Sequence, residues 1–174
     1  MPRRLFVFDR PDHFVTGATG EPGKRTYFLQ ARKGDVLVSV GVEKVQVAAL
    51  ADRMATLLTA VGADGTPARD IGSLEEPVVE FFRVGAMALA WDAESESVIV
   101  EAQTETEDGE YADVPDDAPD GPDLLRVSIE PRAARGFIKR AAAVVAAGRP
   151  PCPFCGEPLE ASGHFCARSR AHLN

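Results

Sequence analysis

All three cysteines of the chain and two of its three histidines fall within residues 150–172, PPCPFCGEPLEASGHFCARSRAH. Two thiolates separated by two residues grip one ion from a tight turn, and a following glycine lets backbone N–H groups turn toward the sulfurs. Cys152-Pro153-Phe154-Cys155-Gly156 has that form. His164 and Cys166 follow after a second turn at Glu160–Gly163, spaced so that on a strand both side chains leave one face. Cys152, Cys155, His164 and Cys166 therefore make a closed Cys₃His set, a usual structural zinc arrangement with no open position for water. The competing fourth ligand is His172, if residues 166–172 bring it back to Cys166. A redox dithiol is the rival chemistry. It normally opens a helix, whose N-terminus lowers the thiol pKa, and Gly156 and Pro158 argue against a helix there.

Other candidates are weaker. FDRPDH, residues 8–13, gathers Asp9, Arg10, Asp12 and His13, and a histidine beside a carboxylate is the makings of a general base. A polar turn between two strands accounts for the same residues and is preferred. TGATGEPGKRT, residues 16–26, imitates a phosphate loop, but Lys24 is followed by Arg25 and a strand comes next. It reads as a hairpin loop whose three glycines supply positive φ, with phosphate contact through Lys24 and Arg25 as the alternative. No Gly-x-Ser-x-Gly, no His-Glu-x-x-His and no cysteine nucleophile outside the tail is present.

The elements that must position these residues follow from periodicity. Residues 4–9, 12–18, 25–32 and 35–42 are short, β-branched or aromatic, and separated by Pro or Gly, which predicts four strands. From Glu43 to Val61 apolar residues recur at Val47, Leu50, Met54, Leu57, Leu58 and Val61, the spacing of a helix that Gly62 ends. After a Gly/Asp/Pro-rich connection, strands are predicted over 77–91, bent near Gly85, and over 97–103 and 124–130. A second helix runs from Pro131 to Ala147 with Ala134, Phe137, Ile138, Ala141, Val144 and Val145 on its apolar side. The expected fold is α+β: a mainly antiparallel sheet of about seven strands covered on one face by two helices. Residues 1–148 form this domain and 149–174 a zinc-knuckle tail. The strands-then-helix order occurs twice, without a convincing sequence repeat.

Charge narrows the function classes. The 174 residues carry a net charge of −8, which disfavours nucleic acid and anionic lipid as partners. No apolar run approaches the ~20 residues a membrane span needs. The opening MPRRLFVFDRPD holds no signal-peptide core, so the cytoplasm is expected. Residues 105–123 hold nine acids and no base, a composition that predicts a long mobile loop. The end of the chain is its opposite: residues 131–174 hold seven bases against Glu157 and Glu160, and Arg132, Arg135 and Lys139 form a stripe.

The ending AAGRPPCPFCGEPLEASGHFC, the preceding EPRAARGFIKRA and the opening FVFDRPDHFVTGATGEPGKRTYFLQAR together resemble a family of conserved hypothetical proteins of actinobacteria, a domain of unknown function. The resemblance covers essentially the whole chain. The family's tail typically reads Cys-Pro-x-Cys-Gly…Gly-His-x-Cys, which implies His164 rather than His172. Ala167 departs from the proline usual after the last cysteine and leaves the geometry beyond Cys166 in question. Genes of the family tend to sit beside phosphatidylinositol-kinase-like and histidine-phosphatase-like proteins, which implies a shared pathway but no activity.

Two functions of different classes are expected from these residues. The first is a non-enzymatic adaptor or regulatory protein, with structural zinc, that binds another protein. The second is a small enzyme or ligand-binding domain whose sheet-side pocket takes an anionic metabolite or nucleotide on Arg10, His13, Lys24, Arg25 and Arg32. Scarcity of catalytic residue types favours the first.

Overall fold

The computed structural model describes residues 2–63, 65–70, 72–147 and 152–155. Seven strands and two helices follow one another as β1 (Leu5–Asp9), β2 (His13–Thr19), β3 (Thr26–Lys33), β4 (Val36–Val42), α1 (Lys44–Ala60), β5 (Glu80–Asp92), β6 (Ser97–Thr104), β7 (Leu124–Ile129) and α2 (Pro131–Ala147). The α+β expectation holds. All seven strands join one mixed sheet in the order β1-β7-β6-β5-β4-β3-β2. Four pairings are antiparallel, while β1–β7 and β4–β5 are parallel.

That order has a geometric consequence. β1 and β2 are the two ends of the sheet, yet only residues 10–12 separate them. A chain of three residues reaches about 10 Å, so the sheet curls until its two edges meet at that turn. Lys33, at the end of β3 beside β2, crosses to β1 there by donating from Nζ to the carbonyl of Asp9. Arg10 makes the turn in the left-handed region at φ 49°.

The sheet's apolar face and both helices share one core. Leu29, Val40, Val100 and Val127 meet Met54 and Leu58 from α1 and Phe137 and Ala141 from α2. Phe14 of β2 stacks on Phe137, ring centroids 4.9 Å apart. Helix α1 starts with the Glu43 N–H donating to Gln46 Oε1 and ends in a Schellman motif, Gly62 N–H to Thr59 and Ala63 N–H to Leu58. Glycine fits there because φ is 68°.

The strands-then-helix order is a structural repeat. β4 and β7 each run directly into a helix, through Glu43 and Glu130. Val47, Leu50, Met54 and Leu58 fall at the same steps beyond Glu43 as Ala134, Phe137, Ala141 and Val145 beyond Glu130. Val38, Val40 and Val42 match Leu125, Val127 and Ile129 in the same way. The first part of β5 pairs parallel with β4 as β1 does with β7, and its second part pairs antiparallel with β6 as β2 does with β3. β5 is thus the unbroken counterpart of β1 plus β2.

Two segments cover the opposite face of the sheet. The connection after α1 passes α2, where the Ala68 N–H donates to the Arg132 carbonyl. It then rounds the edge of β2 and lays Leu74 on Gly17, where a Cβ would come within 2.5 Å of Leu74 Cγ. Gly17 is therefore a strand residue needed for space. The expectation of three positive-φ glycines fails at this one, while Gly20 and Gly23 do turn the β2–β3 hairpin at φ 92° and 88°.

The acidic segment 105–123 is tied to the sheet at several points. Gln103 exchanges two hydrogen bonds with the backbone of Ala112, and Arg126 grips Asp116 through both terminal nitrogens at 2.8 and 3.0 Å. Arg3 reaches the carbonyls of Pro115 and Pro122. Charge that disfavours a core does not prevent docking when a buried amide and two arginines supply partners.

Candidate functional site

The expected site residues separate into three groups. In the tail, residues 153–155 form a turn between Cys152 and Cys155. Cys152 is buried at 5% exposure while Phe154 exposes 51% of its surface. Two thiols gripping from a turn fit the donor set that zinc requires. His164, Cys166 and His172 lie outside the described residues.

The second group belongs to the frame. His13, Gln30 and Ser39 lie on the covered outer face of β2, β3 and β4, and all three are buried. Gln30 fills every bonding position: its Oε1 accepts from the Glu75 N–H (2.7 Å) and meets His13 Nε2 (3.2 Å), and its Nε2 donates to Ser39 Oγ and the Glu75 carbonyl. Because Oε1 only accepts, His13 must donate from Nε2. Burial, more than any neighbour, holds His13 below its ordinary pKa, with Arg32 and Arg140 acting the same way against Glu75 and Gln30. Arg32 is engaged by Glu75 (2.8 Å) and Asp12 (3.5 Å). Arg10 pairs with Glu130 at 2.9 Å. The structure thus joins His13 and Arg32 in one network around Gln30 and Glu75 and pairs Arg10 with Glu130, and none of the three lines the cleft that holds Arg25.

The third group is Arg25. It forms part of a cleft of about 410 Å³ between β2, α2 and the connection after α1. Lys24 stands exposed in the hairpin loop beside it. The cleft's other polar side chains are Thr19, Ser73, Glu76 and Arg140. Arg140 donates from Nε to the Thr16 carbonyl at 3.0 Å and meets Asp70 at 3.4 Å. It also borders a second, more apolar cavity of about 210 Å³ lined by Phe14, Val15, Ile129 and Phe137. Sequence reading missed Arg140 and the connecting segment, because nothing in the spacing of residue 140 says that it faces the edge of β2.

A comparison with protein families matches residues 6–166 to the family described as Protein of unknown function (DUF3090). The chain belongs to this family. The match includes Cys152, Cys155 and His164, ends at Cys166 and leaves out His172. No curated protein and no solved structure matches the chain. Among the described residues no helix is long and apolar enough to cross a membrane.

Proposed function

We propose that this protein is a non-enzymatic, zinc-bearing cytoplasmic adaptor that docks another protein through its C-terminal knuckle. The observation that supports the reading is the contrast inside Cys-Pro-Phe-Cys: a buried Cys152 next to a half-exposed Phe154. A thiol turned inward beside an aromatic ring turned outward is how a small metal-held turn presents a contact residue. Zinc would be held by Cys152, Cys155, His164 and Cys166, and the family match ending at Cys166 supports His164 over His172. A thiolate-rich site of this kind suits a reducing compartment. The net charge of −8 favours a protein partner over nucleic acid.

Metal content of the purified chain tests the site. About one zinc per chain is expected, lost in His164→Ala and retained in His172→Ala. For the adaptor role, the protein recovered from its own cells should carry one partner in a fixed ratio. Phe154→Ala should release that partner while zinc content stays unchanged. Absence of metal together with a reversible Cys152–Cys155 dithiol would overturn the reading.

A further inference from the structure

The repeat places the same groove in the molecule twice, once between α1 and β5 and once between α2 and β2. Arg53 stands at the same step of α1 as Arg140 of α2, and Leu50 at the step of Phe137. Through the register that sets Gln30 opposite Val15 and Gln103 opposite Ala86, Met87, Ala88 and Leu89 correspond to Thr16, Gly17 and Ala18. In the α1 groove these larger side chains leave about 40 Å³ beside Arg53. In the α2 groove the smaller ones leave about 410 Å³. Of the two, the cleft beside Arg140 is the roomier.

The roomier copy also differs in its charges. Arg25 joins its wall, and among the described residues its buried Nε has no hydrogen-bond acceptor. A buried guanidinium donor without an acceptor is unfavourable and rare in folded proteins. Among the described residues Arg25 makes no ion pair, although the Glu76 carboxylate borders the same cleft. Arg140 spends Nε on the Thr16 carbonyl and meets Asp70 through Nη1, and among the described residues its Nη2 makes no hydrogen bond. Thr19 and Ser73 add hydroxyls, and Leu74, Ala143 and Val144 add an apolar wall.

We propose that the α2–β2 groove binds a small oxyanion-bearing molecule, with its phosphate or carboxylate on Arg25 and Arg140 and its apolar part against Leu74 and Val144. Planar guanidinium forks match both kinds of oxyanion. Glu76 selects ligands that also carry a hydroxyl or ammonium donor. None of the described tail residues, 152–155, lines the cleft.

Binding to the full chain is measured by calorimetry with inorganic phosphate, glycerol 3-phosphate and citrate, at ionic strength held constant with chloride. Saturable binding of the phosphates identifies a phosphate site, and binding of citrate alone a carboxylate site. Arg25→Gln should weaken either by about tenfold or more, the loss of one charge-assisted bond. It should leave the fold intact, because among the described residues the Arg25 guanidinium makes no hydrogen bond or ion pair. Arg10→Gln, on the far side of the β1–β2 turn, should leave affinity unchanged. In the wild-type chain the Arg25 Nε–H proton resonance should move downfield as ligand saturates. No saturable binding by any probe, equal binding in Arg25→Gln, or an unmoved Nε–H resonance would overturn the proposal.

Discussion

Gln30 and Glu75 hold one another as two paired strands would: the Glu75 N–H donates to Gln30 Oε1 at 2.7 Å, and Gln30 Nε2 donates to the Glu75 carbonyl at 2.9 Å. Gln103 and Ala112 repeat the arrangement at 2.7 and 3.0 Å on the other half of the sheet. Each fully buried glutamine thus fastens an irregular segment across the sheet's outer face. A side-chain amide carries one donor end and one acceptor end, which is what an unpaired backbone residue needs.

Replacing that amide strands its partners. Gln30→Met should destabilise the chain by about 2–4 kcal/mol, because the Glu75 N–H and carbonyl, Ser39 and His13 all lose a buried partner. Urea unfolding read by the Trp91 fluorescence would measure it. A loss below about 0.5 kcal/mol, the scale of an ordinary surface change, would show that water replaces the amide.

His13 sets an acid limit on stability. Its folded pKa lies below the ordinary value of 6.5, chiefly through burial. As pH falls through 6.5 the unfolded chain takes up a proton that the folded chain refuses, so stability drops until the folded pKa is passed. The slope from this one group is at most about 1.4 kcal/mol per pH unit. His13→Gln keeps a donor toward Gln30 but cannot titrate. Thermal unfolding between pH 7 and 5 should show a shallower decline in that variant than in the wild type.

Arg126 is the latch of the acidic segment. It joins Asp116 above the sheet to Glu101 within it, at 2.6 Å, and Glu101 also accepts from the Tyr111 hydroxyl. Burial, then this carboxylate, pushes the Tyr111 phenol up to about 12. In Arg126→Gln the segment loses its bidentate anchor. Cleavage after its acidic residues by a glutamate-specific protease should speed up several-fold, while the folded core survives. Unchanged cleavage would place the anchor at Gln103 and Arg3.

Local pattern marked every strand and both helices, because each element turns one face to the shared core. A period of two in 25–32 and of 3.6 in 43–61 records that face directly in the order of residues. The helix faces named by Val47, Leu50, Met54 and Ala134, Phe137, Ala141 are those the core receives. Composition does not show how the acidic segment is held, since its anchors Gln103, Arg126 and Arg3 sit outside it. The pairing of β1 with β7 and the curl it forces were equally hidden. A strand carries its own alternation but no mark of which neighbour completes its ladder. The sequence determined the elements, their buried faces and the concentration of thiols in the tail. Only the tertiary structure decided that Arg10 pairs with Glu130, that His13 and Arg32 meet around Gln30 and Glu75, and that Arg25 and Arg140 face one cleft. Those outcomes depend on contacts between residues far apart in the chain, and local spacing does not encode them.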